Sequence, residues 1–508
     1  MKSARFMCIA ARLFVKPPQR IALSAALLLI VLLAFPGILR AVECGLPVVV
    51  VPQNGVTFYA GTCTDGSEYV MHLPSNWNGT LFLYSHAYDP PGSPLNPRDD
   101  ETSTVHIYLF SHGYALAASS YASSGWAIDS ALPDQIAVLD TFSSFIGKPK
   151  RTIALGASLG GMVTAGLVQK YPGRFDGALS VSGILAGSVG FWNELLDAAF
   201  AFNSLLVPPG SGLQVVNITD PTCPLGNCNN LAIATNILSE AQNSAEGRAR
   251  IALVAALIDS PGWTDLIDFP NDPNPPEPSR TDYATREVNQ FVSLGVGIFF
   301  NAFDGRADVE ARAGGNPSWN TGVDYEKQLK HSVDYAEVRA LYEQAGLSLD
   351  ADLDALNKAP RIAADPAAVK YLRQNISFNG DIGIPVVTLH TTGDDLISVQ
   401  NEQAYAAVVR RGNDNKLLRE LFVHRAGHLN VTDAEIIASM NVLVHRLDTG
   451  EWGGIDPEDL NEAAASLGSP YQVLSFFGVS PISPAFVEYR PAPFLRPFDA
   501  PIRGRGKD

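Results

Sequence analysis

The stretch from residue 151 to residue 168 constrains this chain more than any other. Arg151-Thr152-Ile153-Ala154-Leu155 is a short β-branched and aliphatic run of the kind that forms a buried strand. It passes through Gly156-Ala157-Ser158-Leu159-Gly160-Gly161 straight into apolar residues at helical spacing. A strand, a sharp turn and a helix in so few residues need glycine on either side of the turn, because side chains two positions before and after Ser158 would collide across it. With 43 glycines in the chain a bare Gly-x-Ser-x-Gly can arise by chance, so the flanking strand and helix are what give it weight. In that setting the serine hydroxyl stands at a helix N-terminus, where free N–H groups and the helix dipole favour developing negative charge.

The same alternation extends on both sides. Thr80-Leu81-Phe82-Leu83-Tyr84, Tyr114-Ala115-Leu116-Ala117 and Gly177-Ala178-Leu179-Ser180-Val181-Ser182 read as further buried strands, with helical spacing over 132–146 and 159–168. A β-α-β series implies a mostly parallel central sheet flanked by helices on both faces. Strand character then lapses and resumes at Ile384-Pro385-Val386-Val387-Thr388-Leu389, followed by a helix over 399–409, a strand around Leu421-Phe422-Val423 and a helix over 433–447. Helices are expected between, at 191–206, 245–258, 285–303 and 335–345, with five prolines making 268–280 a non-helical surface segment. The expected organisation is a first core part at 42–183, a large helical cap insertion at 184–383, a second core part at 384–451, and a C-terminal tail at 452–508 that packs on the core.

A serine hydroxyl is a poor nucleophile until a base takes its proton, and that base needs a carboxylate to fix its tautomer. Both occur later, at strand ends. His390-Thr391-Thr392-Gly393-Asp394-Asp395-Leu396-Ile397-Ser398 is a turn before a helix, in which either Asp could serve, and Arg425-Ala426-Gly427-His428 is another. The order Ser, Asp, His is the one that the nucleophile-elbow fold uses.

These residues resemble the α/β-hydrolase superfamily, specifically its exported serine esterase and peptidase-like members with an inserted cap; the resemblance covers 80–183 and 384–447. It implies an α/β-hydrolase fold and a triad of Ser158, Asp394 and His428. In the family's acid turn an aliphatic residue and a proline follow the Asp at three and four positions. Ile397 matches from Asp394 and Ser398 does not, whereas Ser398 and Val399 both fail from Asp395, so Asp394 is preferred and Asp395 is left as a helix N-terminal acid. Gly427-His428 matches unchanged. Tyr84-Ser85-His86-Ala87-Tyr88 resembles the superfamily's His-Gly oxyanion motif with Ala87 in place of Gly, which implies oxyanion donors from the N–H of Leu159 and of Ala87 or Tyr88. His390, next to the acid turn, is expected to support it. No metal or organic cofactor is implied.

Address and partners come from charge and cysteine. Lys2, Arg5, Arg12, Lys16 and Arg20 precede the uncharged run 21–39, which is an export signal with cleavage after Ala41 or, being long, an uncleaved anchor; only the anchor would make a membrane a partner. The net charge is −16, and removal of 1–41 takes six basic residues and no acidic ones, so nucleic acid is not a partner. The four remaining cysteines suggest two disulfides, Cys44 with Cys63 and Cys223 with Cys228, in preference to a zinc site, since no His lies near them.

The expected activity is hydrolysis of a small-molecule or polymeric carboxylic ester through an acyl-enzyme. A serine exopeptidase of the same fold is the alternative, disfavoured because no acidic cluster marks an amine-recognising pocket. A non-catalytic binding module would be marked by a broken triad. Phe191-Trp192, Phe299-Phe300 and Phe303 suit an acyl pocket and suit packing equally well.

Overall fold

Ten strands form one sheet in the order β1-β2-β3-β5-β4-β6-β7-β8-β9-β10. The computed structural model describes residues 42–98, 103–218, 229–267, 271–474 and 481–496. The N-terminal basic and apolar segment and the Cys223/Cys228 pair lie outside them.

The centre of the sheet is parallel: β5 (Ala115–Ser119), β4 (Thr80–Ser85), β6 (Arg151–Ala157), β7 (Gly177–Val181), β8 (Val386–Gly393) and β9 (Leu418–Ala426) pair in that order. β4, β5 and β7 are buried at every position, which is why they read as continuous apolar runs rather than as alternation. Period two sorts their side chains between two faces. Phe82, Tyr84, Ile153, Leu155, Leu179, Val181, Val387 and Leu389 join Leu109 from helix Ser103–Ser111 and Ile437, Met440 and Leu443 from helix Asp433–Thr449 in one core. Helices Ile128–Phe145 and Leu159–Lys170 pack on each other and against β4, β5, β6 and β7.

The sheet is antiparallel at its ends. β1 (Val48–Gln53), β2 (Val56–Thr62) and β3 (Glu68–Pro74) form a meander added to β5. Cys44 and Cys63 are joined by a disulfide at its start. At the far end the expected tail contributes a strand: β10 (Phe486–Val487) pairs with Phe422 and Val423 of β9. Two residues carry no readable period, so this pairing left no mark in the sequence.

Between β7 and β8 the described residues are helical, from Gly187–Leu205 to Pro366–Asn375. The expected helix over 285–303 is not continuous. Helix Tyr283–Ser293 gives way to π-helical turns at Leu294–Ile298 and Phe300–Gly305 before helix Arg306–Ala313 resumes. Gly295 and Gly297 lie in this stretch, and a methyl at Gly297 would stand 3.2 Å from Leu396 Cδ1. The helix is therefore re-pitched where it meets the acid turn, a common setting for π-turns. Among the described residues no helix is long and apolar enough to cross a membrane.

Candidate active site

The site is assembled from turns that follow strands. Ser158 lies between β6 and helix Leu159–Lys170 with φ 56° and ψ −119°, a conformation strained for any side chain. The glycines around it are there for space: a methyl at Gly156 would overlap the Gly160 carbonyl, and one at Gly160 would overlap the Ser85 carbonyl. The second contact places the end of β4 directly over the first turn of the helix. Ser158 Oγ is 2.9 Å from His428 Nε2, and His428 Nδ1 is 2.8 Å from Asp394 Oδ2 and 3.1 Å from Oδ1. Ser158 is 7% exposed, the His428 side chain 14% and the Asp394 side chain 0%.

Asp394 is held from several sides. Its Oδ1 accepts the N–H groups of Leu396 at 3.1 Å and Ile397 at 2.8 Å. His390 Nε2 stands 3.2 Å from Oδ2. Burial alone would raise its pKa, but His428 and His390 overcome burial and hold the carboxyl well below the usual carboxylate range. An ionised Asp394 fixes the tautomer: Nδ1 of His428 carries the proton, and Nε2 is left free to accept from the serine hydroxyl.

Asp395 turns away from His428. Its carboxyl accepts a hydrogen bond from Thr264 Oγ1, and burial, with Asp394 adding to it, raises it to about 6. The role of helix N-terminal acid expected for it is not what the structure gives, since the next helix begins only at Gln400. Thr264, like Asp265, belongs to the loop ahead of Tyr283–Ser293 and carries no motif. Asp265 packs on Gly427, where a methyl would stand 2.5 Å from its carboxyl oxygens, and burial raises it to about 7. Gly393 is likewise required, because Trp263 comes within 2.7 Å of where its Cβ would be.

The segment after β4 is clamped in place. Gln135 Nε2 donates to the Tyr84 carbonyl at 2.5 Å and to Ser85 Oγ at 3.0 Å. His86 is buried, stacks on Tyr121 at 4.0 Å, and its carbonyl accepts the Tyr121 hydroxyl at 3.2 Å. Burial, aided by the charge of Arg98, lowers the His86 pKa, so its ring is neutral. Its Nδ1 lies 2.7 Å from the Ala87 carbonyl oxygen and 3.3 Å from Arg98 Nη2. Ala87 and Tyr88 follow at once, and the Tyr88 ring meets Phe300 edge-on at 6.4 Å.

The aromatic residues of the insertion separate accordingly. Phe299 and Phe303 are fully buried against Phe202, at 4.6 and 6.3 Å, and Phe191 and Trp192 pack on Trp126, at 5.5 and 5.1 Å. Those four are packing residues. Phe300 is the one of the five that touches the Ala87-Tyr88 segment. Glu402, which meets His390 Nδ1 at 2.9 Å, was not legible in sequence, because an acid in the first turn of a helix has an ordinary explanation in the helix dipole.

No family model matches the chain. It is 30% identical, over 430 residues, to an o-phthalyl amidase of Xanthobacter agilis, covering 80% of this chain and 90% of the relative. Among solved structures it is similar to an esterase from Aspergillus oryzae, with a TM-score of 0.40 at 15% identity over 82% of this chain and 88% of that one. It is also similar to the tannin acyl hydrolase of Aspergillus niger, with a TM-score of 0.39 at 13% identity over 84% and 87%.

Proposed function

The chain belongs to the family of the o-phthalyl amidase and is a hydrolase of ester or amide bonds; from that premise we propose that it is an α/β-hydrolase with Ser158, His428 and Asp394 as its catalytic triad. The observation that carries the reading is the unbroken run of contacts from Ser158 Oγ through both nitrogens of His428 to Asp394. Ser158 attacks the substrate carbonyl while His428 Nε2 takes its proton. The tetrahedral oxyanion forms beside the N–H of Leu159 and the Ala87-Tyr88 segment. His428 then returns the proton to the leaving oxygen or nitrogen, and water, activated by the same histidine, releases the acid from the acyl-enzyme.

An ester is the expected substrate from sequence. The relative's name favours a second reading, an amide whose acyl group is aromatic and carries a carboxylate beside the carbonyl. Turnover of p-nitrophenyl esters and of an o-phthalyl amide by the same preparation decides between them. We further read residues 1–41 as an export signal, a reading that a Cys44–Cys63 disulfide suits.

Ser158→Ala should lose at least about a thousandfold in kcat on either substrate, and a fluorophosphonate probe should label the wild type and leave the variant bare. Undiminished hydrolysis by the variant would remove Ser158 from the mechanism. A wild type that neither hydrolyses nor labels would turn the reading to a binding module.

A further inference from the structure

Asp394 carries a second imidazole. His390, on β8, is fully buried; its Nε2 lies 3.2 Å from Asp394 Oδ2 and 3.0 Å from the Ile397 carbonyl oxygen, and its Nδ1 lies 2.9 Å from Glu402 Oε1. Every oxygen facing this ring is an acceptor. Nε2 meets a carboxylate and a carbonyl, so it carries a proton. Nδ1 meets a carboxyl oxygen of Glu402. Two carboxyls and a carbonyl around one ring are a setting that suits an imidazolium. Burial works against that charge, and Asp394 and Glu402 overcome it, raising His390 to about 10. Glu402 is fully buried, and its Oε2 has no hydrogen-bond partner, so the contact with His390 is its anchorage.

We propose that His390, held as an imidazolium by Glu402, is a positioning residue for the triad: it grips the same Asp394 oxygen that His428 uses and offsets the charge that His428 feels. This rests on the catalytic reading of Ser158, His428 and Asp394 given above. With the N–H groups of Leu396 and Ile397 on Oδ1 and two imidazoles on Oδ2, the carboxylate is fixed against rotation. An isolated buried carboxylate would stabilise protonated His428 strongly and raise the pH needed for a free base. A neighbouring cation tempers that.

Other titratable groups surround this pair on each element packed against it. Asp395 on the acid turn and Asp265 on the preceding loop both act on the Asp394 region, and burial raises them to about 6 and about 7. Glu194, reached through Ser398 from helix Gly187–Leu205, and Asp259, reached through Gln400, are raised by burial to about 8 and about 7. Behind Glu402 stand Tyr405 and Glu420, the latter raised by burial to about 7 and opposed by Arg410. Arg425 on β9 is committed to Glu435 at 2.8 Å. Among these groups His390 is the cation in contact with Asp394.

The test is the pH-rate profile of His390→Gln in the full-length enzyme. Its amide keeps an N–H for Asp394 and removes the charge. The ascending limb of kcat should move up by about one pH unit, and plateau kcat should fall about tenfold with KM held within about twofold. A folded variant whose limb and plateau coincide with those of the wild type overturns the proposal. Should the variant fail to fold, the wild type answers alone. In protein labelled with ¹⁵N-histidine, one imidazole should remain doubly protonated from pH 6 to pH 9, and its absence overturns the proposal equally. Ser158→Ala keeps the two readings apart. If that variant stays active the triad falls; if it is inert and His390→Gln matches the wild type, only the role of His390 falls.

Discussion

The strand ends and the insertion hold their side chains in place by different means. At the strand ends the backbone does the work: Ser158 and Leu429 sit at φ 56° and 59°, Gly427 at 88°, and Asp394 is tethered by two amide N–H groups of its own turn. In the insertion, side chains do it. Arg286 bonds to Asp334 at 2.5 Å and Glu337 at 2.6 Å, all three buried. Arg306 donates to Ser318 Oγ and to the carbonyls of Trp192 and Ala302. Asp197 accepts from the Tyr325 hydroxyl, from Gln328, and from Arg496 near the chain's far end. Chemistry confined to a turn demands glycine and a fixed spacing. A network of long side chains can be satisfied by many spacings, and so the two regions differ in what can be damaged by one substitution.

The largest effect that this contrast predicts lies between two neighbours in sequence. Asp394→Asn should lower kcat by about a thousandfold to ten-thousandfold, because an amide facing Nδ1 favours the wrong tautomer of His428. Asp395→Asn, whose side chain bonds to Thr264, should stay within about threefold of the wild type. Steady-state assays on the same ester check both, and equal losses would mean that the turn as a whole, rather than one carboxylate, sets the activity.

Legibility follows the same division. Gly156, Ser158, Gly160, Gly427 and His428 could be placed from sequence because strand-to-helix turns tolerate few residues, and the buried strands could be placed because parallel strands covered on both faces are apolar throughout. Asp394 and Asp395 could be separated only by a partial match to a family pattern, since both are short acids in one turn. β10 is two residues long and is defined by a partner some sixty residues earlier, so nothing local announces it. The π-helical turns lie against Leu396, a contact that only the tertiary fold makes. Glu402 and Asp265 depend on partners that only the fold brings near.

The insertion should break the other way round. Arg286→Ala leaves two buried carboxyls without their cation and should cost about 3–5 kcal/mol of stability. Because none of these three groups touches Ser158, His428 or Asp394, kcat per probe-labelled serine should remain within about threefold of the wild type below the melting transition. Thermal unfolding and active-site labelling measure the two quantities separately. A variant of normal stability and low kcat would mean that the insertion's polar network acts on the chemistry directly.

The smallest effect concerns pH, where the two regions pull in opposite directions. Asp394 is held below its unfolded pKa near 4, so its contribution is present above that value and is lost only as pH falls through the depressed one. In the insertion, burial raises Glu194 to about 8 and Asp259, Glu287 and Glu337 to about 7. These acids bind their protons more tightly in the folded chain, so their contribution is full below pH 4 and drains away as pH rises through 7 and 8. His390, raised from 6.5 to about 10, likewise loses its contribution as pH climbs from its unfolded value towards 10, and so adds to the decline in the upper part of this window. Since the raised acids outnumber Asp394 between pH 5 and pH 8.5, Tm should be highest on the acid side of that window and lower by a few degrees, on the order of 1 kcal/mol, at its alkaline end. Glu194→Gln removes one of the draining groups and should flatten the slope. A Tm that rises from pH 5 to pH 8.5 would mean that the insertion carries these acids ionised, stabilised by contacts other than those that bury them.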